Sequence, residues 1–250
     1  MTRKTNASLP AGWTETIRAM VQGNCTRSIN IGLWGPAGTG KSYALPALFA
    51  DYETVTLHGH TQPHELLGVR EVDGDGLGGT RTYFSEGPAV RAMVRGIPLI
   101  LDEFDAAGPE LRCLLHQICD PDRSKIKISL SDGRIITPSD GFFVVATMNA
   151  NPSRLPDPIR NRFVWILAAT PAQGLIDALP PGIGRYLANA YDSRARNINA
   201  WTETEISARG VQYYLALRDA LGEDRAARIL WGDDLGAEIL AASAAVEIGD

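Results

Sequence analysis

Hydrophobic residues recur along this chain with two different periods, and the switches between them outline its elements. Trp13, Ile17, Met20 and Val21 fall at helical spacing and predict a short leading helix. The stretch 29–34 reads as a buried strand, and a helix is expected to start within 42–50. A second strand is expected at 53–57. Residues 61–96 keep no period and are expected to be irregular, with the run Asp73-Gly74-Asp75-Gly76-Leu77-Gly78-Gly79 as a flexible turn. Ile97-Pro98-Leu99-Ile100-Leu101 is an unbroken apolar run, typical of a strand covered on both faces. Leu111, Leu114, Leu115 and Ile118 then line one face of a helix.

A hairpin follows. Residues 125–129 alternate, Asp132-Gly133 is a tight-turn pair, and 134–136 return. Two more strands are expected at 142–147 and 163–167. Strands alternating with helices predict an α/β fold, a parallel sheet with helices on both faces. From about residue 171 only helical periods remain, punctuated by Pro180-Pro181-Gly182. The organisation expected is therefore an α/β domain over 1–170 and a small all-helical domain over 171–250.

Composition narrows the picture. A chain of 250 residues is ample for a full core. Its net charge of −5 argues against broad attraction to nucleic acid or an anionic membrane. Arginine supplies 20 of the 24 cations, so a local basic groove stays open. No apolar run approaches the roughly 20 residues needed to span a bilayer, and residues 1–10 lack the apolar region of a signal peptide. Cys25, Cys113 and Cys119 are odd in number and lack C-x-x-C spacing. They are expected to be free, mostly buried thiols in a reducing cytoplasm.

The chemistry is concentrated in a few places. Gly35-Pro36-Ala37-Gly38-Thr39-Gly40-Lys41-Ser42 matches G-x-x-x-x-G-K-[ST], with Tyr43 next in line. Its glycines let backbone N–H groups converge on phosphate oxygens, Lys41 reaches the outer phosphates, and the Ser42 hydroxyl can ligate Mg²⁺. The preceding strand and following helix suit an anion at a helix start. Leu101 is followed by Asp102 and Glu103, an acid pair at a strand's carboxyl end. Asp102 can hold the water shell of Mg²⁺, and Glu103 can orient and polarise an attacking water. Asn149 lies just past the strand at 142–147, where it could hydrogen-bond a terminal phosphate; Asn151 is the alternative amide. Arg160-Asn161-Arg162-Phe163 places two guanidinium groups before the last strand.

Taken together, the loop at 35–42, the Asp102-Glu103 pair, the Ala-Thr-Met-Asn stretch and the Arg-Asn-Arg-Phe stretch resemble an AAA+ ATPase. More narrowly they resemble the MoxR branch, close to its CbbQ/NorQ-type activators. Pro63-His64-Glu65-Leu66-Leu67-Gly68 and Phe84-Ser85-Glu86-Gly87-Pro88-Ala89-Val90 are similar to the insertion preceding that family's acidic motif. The hairpin at 125–137 stands where the family carries its pre-sensor hairpin. Ile206-Ser207-Ala208-Arg209-Gly210 resembles a second sensor opening a lid helix. The resemblance implies a P-loop NTPase sheet followed by a helical lid, with ATP and Mg²⁺ as ligands. It implies Asn149 as first sensor, Arg162 as the finger reaching a neighbouring subunit's nucleotide with Arg160 its companion, and Arg209 as a reporter from the lid. It further implies a homo-oligomeric ring, usually of six subunits, a von Willebrand A-domain partner, and a client protein complex to be remodelled. The rival expectation is a GTP-driven ring of the McrB type, linked to nucleic acid processing.

In this chain Asn149-Ala150-Asn151-Pro152 stands where the family often has Asn-Pro directly after Ala-Thr-Met, so both amides remain candidates. His58 and His60 would share one face if they lay on a strand, but no further ligand completes a zinc-like set. Tyr213-Tyr214 fall among helical apolar positions and are expected to pack in a core, and Glu223-Asp224-Arg225 reads as a solvated helix start.

Overall fold

A computed structural model describes residues 12–37, 39–74, 80–168, 184 and 208–247. The chain divides into two compact units. One comprises Ile17–Trp34 and Leu45–Ile166; the other comprises Met1–Thr16, Gly35–Ala44 and Leu167–Asp250. The leading helix α1 covers Trp13–Gln22.

The first unit is built on a sheet of five strands. These are β1 (Asn30–Trp34), β2 (Glu53–Thr56), β5 (Leu99–Asp102), β8 (Val144–Met148) and β9 (Phe163–Leu167), in the order β2-β5-β8-β1-β9. β1 runs parallel to β8, β8 to β5, and β5 to β2. The unbroken apolar runs become its buried strands. Leu99, Leu101, Val144, Val145 and Ala146 are inaccessible, and each large aliphatic side chain so placed stabilises the fold by about 1.5–3 kcal/mol. Helices α4 (Pro88–Arg95) and α5 (Pro109–Ile118) flank this sheet. They bury Val90, Met93, Leu111, Leu115 and Ile118 in the core that holds the strands. Cys113 projects away from that face and is exposed, as is Cys25 in a 3-10 turn after α1; Cys119 is buried. The expectation of mostly buried thiols is thus corrected for two of the three.

The expected helix after the phosphate-loop sequence is short. α2 spans Lys41–Ala44 and gives way to a 3-10 turn over Pro46–Leu48. Pro46 lacks the N–H needed to continue the ladder, and its ring would clash with the carbonyl four residues back.

The described residues of 61–96 are not irregular. They form α3 (Pro63–Leu67), the antiparallel pair β3 (Gly68–Gly74) and β4 (Thr80–Glu86), and then α4. Residues 75–79, most of the expected flexible turn, lie outside the described residues. His58 and His60 lie in the bend between β2 and α3, not on a strand, where the His60 N–H donates to His58 Nδ1. The smaller hairpin pairs β6 (Ile128–Ser129) with β7 (Ile135–Ile136), as the Asp-Gly turn predicts. Arg134 joins the two hairpins. Its Nη1 donates to Glu86 Oε1 at 2.7 Å, its Nε to Asp132 Oδ2 at 2.6 Å, and its guanidinium carbon lies 5.4 Å from the centre of the Phe84 ring. A one-turn helix α6 (Asp157–Arg160) precedes β9.

In the second unit the described C-terminal residues are helical. α7 covers Ala208–Leu221 and α8 covers Glu223–Glu247, the latter broken at Gly232, where φ is 79°. Tyr214, Ala226, Ala227 and Ile239 form their core, with Trp231 stacked on Tyr214 at 5.2 Å. Tyr213 is exposed, so only one of the expected tyrosine pair packs inside. Glu223, Asp224 and Arg225 are exposed at the start of α8, as expected. Among the described residues no helix is long and apolar enough to cross a membrane.

Candidate functional site

Within the second unit, the phosphate-loop sequence is tightly turned. Gly35 has φ 152°, and a Cβ there would stand 2.5 Å from the Ala168 carbonyl oxygen, so no other residue fits. Gly40 has φ 79°, in the left-handed region that favours glycine. Its carbonyl receives the Ala44 N–H at 2.8 Å, which closes the first turn of α2. Lys41 is buried, and its Nζ donates to the carbonyls of Gly35 (2.9 Å) and Pro36 (2.8 Å). Thr39 is also buried and donates its hydroxyl to Pro36 O at 3.2 Å. The cation therefore lies over its own loop. Gly38 and the side chain of Tyr43 lie outside the described residues.

Within the first unit, the register of the parallel strands sets Leu101 beside Ala146 and Trp34 beside Met148, so β5, β8 and β1 end at one edge. Ligands of open parallel sheets bind outside such carboxyl ends. Asp102 closes β5 there, and the Thr147 hydroxyl from β8 donates to its Oδ1. Glu103 follows with φ 54° and ψ 46°, the left-handed region, which a residue with a Cβ adopts at a cost. The chain then turns at once into a 3-10 turn over Phe104–Ala106, closed by the Ala106 N–H on the Glu103 carbonyl at 2.9 Å. The Glu103 carboxylate accepts from Asn149 Nδ2, at 3.2 Å to Oε2 and 3.4 Å to Oε1. Asn151 is differently employed: its Oδ1 accepts the Ser153 N–H at 2.9 Å and caps the turn over Pro152–Arg154.

The two arginines lie elsewhere in this unit. Arg162 donates from Nε to the His116 carbonyl at 2.9 Å and from Nη1 to the Pro158 carbonyl, and its Nη2 stands 3.7 Å from Asp120. Arg160 pairs with Asp157 at 2.7 Å, and its carbonyl accepts from Trp165 Nε1 at 2.9 Å. The Trp165 ring lies over β1 at Gly32, where an added Cβ would stand 2.2 Å from it. The Arg162 carbonyl accepts from Asn30 at the amino end of β1. The four steps from Asn30 to Trp34 span about 13 Å at roughly 3.3 Å each. The arginine pair is thus tied to the opposite end of β1 from the edge that carries the acids. The His116 ring, partly buried and near the Arg162 guanidinium, has its pKa lowered by burial first and by that cation second. The Arg209 side chain lies outside the described residues.

Two residues of this region gave no sequence signal. Asn30 is a buried amide within an apolar strand, and Arg123 hydrogen-bonds it from the loop after α5. Their partners are some 90 to 130 positions away in sequence, beyond any local pattern.

A strand leading into a phosphate-loop sequence, on a parallel sheet flanked by helices, defines a P-loop-type α/β domain. The chain belongs to the AAA domain family, dynein-related subfamily, whose profile matches residues 30–163. An uncharacterized protein of Staphylococcus haemolyticus is 31% identical over 144 residues, which cover 55% of this chain and 54% of that protein. Uncharacterized protein YojN of Bacillus subtilis is 29% identical over 150 residues, covering 55% of this chain and 46% of its own. The chain thus spans about half the length of the curated relatives it matches. A crystal structure of a candidate ATPase from Cytophaga hutchinsonii superposes with a TM-score of 0.49 and 17% identity, covering 85% of this chain and 59% of that one.

Proposed function

We propose that the chain is an ATP-hydrolysing subunit of a homo-oligomeric ring, hexameric in the usual family form. In this reading it is a MoxR-type AAA+ remodelling ATPase, near the CbbQ/NorQ activators. It acts in the cytoplasm on a client protein complex, with a von Willebrand A-domain protein as partner. Residues 1–170 form the nucleotide-binding domain and 171–250 the lid. ATP is the substrate, bound by the loop from Gly35 to Ser42 with Tyr43 beside it. The cradle fits such a ligand: Gly35 and Gly40 hold conformations that no other residue tolerates well, and Lys41 supplies the cation. Mg²⁺ would be held by Ser42 and Asp102. Hard oxygen donors in small number suit an ion that keeps most of its water and phosphate ligands. Among the described residues no cluster of three or more His, Cys, Asp or Glu forms a dedicated cage. The bound ion would neutralise charge on the phosphates.

The observation that carries this reading is the contact between Glu103 and Asn149 at the strand-end edge. The carboxylate is oriented by two contacts from the Asn149 amide, as a group that positions an attacking water requires. The same amide would sense a terminal phosphate, and its contact with Glu103 favours Asn149 over Asn151, whose Oδ1 caps a turn instead. Arg162 and Arg160 lie at the far end of β1 from these acids, which supports their service to a neighbouring subunit's nucleotide. Such a finger contributes about 10³ to 10⁵ in rate, or about 4–7 kcal/mol of barrier. Arg209 would relay nucleotide state from the lid.

The test is Glu103→Gln. It should retain ATP binding and lose turnover, with ATP preferred over GTP in the parent protein. Parent-like phosphate release from the variant would overturn the assignment. Arg162→Ala subunits mixed into intact rings should depress activity below the additive value; strictly additive rates would argue against shared sites.

A further inference from the structure

We propose that Asn30 is a positioning residue, coupling each subunit's own phosphate loop to the arginine it offers its neighbour. This rests on the assignment of Arg162 above. Asn30 is fully buried, and all its hydrogen-bonding capacity is used. Its Nδ2 donates to the Cys119 carbonyl at 2.7 Å and to the Arg162 carbonyl at 3.1 Å. Its Oδ1 accepts from Arg123 Nη2 at 2.8 Å and from the Val144 N–H at 3.0 Å. One side chain therefore joins the end of α5, the arginine segment, the loop after α5 and the start of β8.

Arg162 is gripped from both ends within this network. Asn30 holds its carbonyl. The His116 carbonyl and Asp120 hold its guanidinium, and the Asp120 carbonyl in turn accepts from Arg123 Nη1 at 2.7 Å. Asn30 opens β1, and β1 runs directly into the loop sequence that begins at Gly35. Any shift of β1 that accompanies phosphate binding carries the amide, and the amide carries the peptide at Arg162. The amide's four hydrogen bonds fix it to all of these segments, so it passes such a shift on, although Arg123 Nε in the same network is buried without a hydrogen-bond partner.

The experiment is Asn30→Asp in the full chain. The change keeps the acceptor for Arg123 and Val144 and removes both donors, so the Arg162 carbonyl is released. Turnover is measured against ATP concentration, and binding of a fluorescent ATP analogue is measured separately. The parent ring should hydrolyse ATP cooperatively. The variant should bind nucleotide unchanged, with its Hill coefficient reduced to about 1. Unchanged cooperativity, with loss of thermal stability alone, would show a purely structural amide and overturn the proposal, as would a non-cooperative but active parent. Arg123→Lys, which loosens Asn30 from its Oδ1 side, serves if Asn30→Asp does not fold; the same loss of cooperativity is expected, and its absence is equally fatal. A parent that neither assembles nor hydrolyses ATP would instead defeat the underlying function, so the two failures are distinguishable.

Discussion

Replacing Glu103 by alanine and, separately, by glycine separates its backbone from its carboxylate. Both variants lose the contact with Asn149, so that loss cancels between them. What remains is the conformation: φ 54° and ψ 46° at a residue followed immediately by a 3-10 turn. The left-handed region costs a residue with a Cβ about 1–2 kcal/mol. Glycine escapes that cost but gives back about 0.4–1 kcal/mol through the greater freedom of its unfolded chain. The glycine variant should therefore be more stable than the alanine variant by about 1 kcal/mol, a melting-temperature difference of roughly 2–4 °C for a chain of this size. At an ordinary helical or strand position the order would be the reverse. Urea denaturation without nucleotide, compared at equal slope, measures the difference, and both variants should be inactive. An alanine variant at least as stable as the glycine variant would refute the idea that the acid is held in a strained backbone.

Gly32→Ala should destabilise the sheet by about 1–3 kcal/mol through overpacking, because the new methyl meets the Trp165 ring; an unchanged urea midpoint would contradict that packing. Thiol labelling of the native protein should modify Cys25 and Cys113 readily and Cys119 only on unfolding. Burial pushes the Cys119 thiol up to about 12, and rapid labelling of all three would contradict it. The lowered pKa of His116 gives a signed pH effect. Below about pH 6.5 the unfolded chain binds a proton that the folded one resists, so stability falls as pH drops through this window. His116→Gln should flatten that slope, and an identical slope in the variant would remove His116 as its source.

The central sheet was legible because its strands are covered on both faces and so read as unbroken apolar runs: 97–101 and 142–147 became β5 and β8 with boundary shifts of one or two residues. The phosphate-loop sequence and the acid pair were legible because their chemistry demands particular residues at fixed spacing. The hairpin of β3 and β4 was not. Val69, Val72 and Tyr83 are exposed on it, and a ribbon that buries neither face leaves no alternation to read. α6 is a single turn that follows Pro156 and contains Pro158, too short for a helical period. Asn30 was missed for another reason. An amide inside an apolar strand looks like a flaw in the pattern, and its meaning lies in partners that only the folded chain brings near.

Arg134 is shared between the two ribbons, taking Glu86 and the Phe84 ring from one and Asp132 from its own. Neither ribbon is then free to drift in length independently. An insertion that moved Glu86 away would unfasten the other ribbon as well, so lineages that lengthen one should carry a compensating change in its companion.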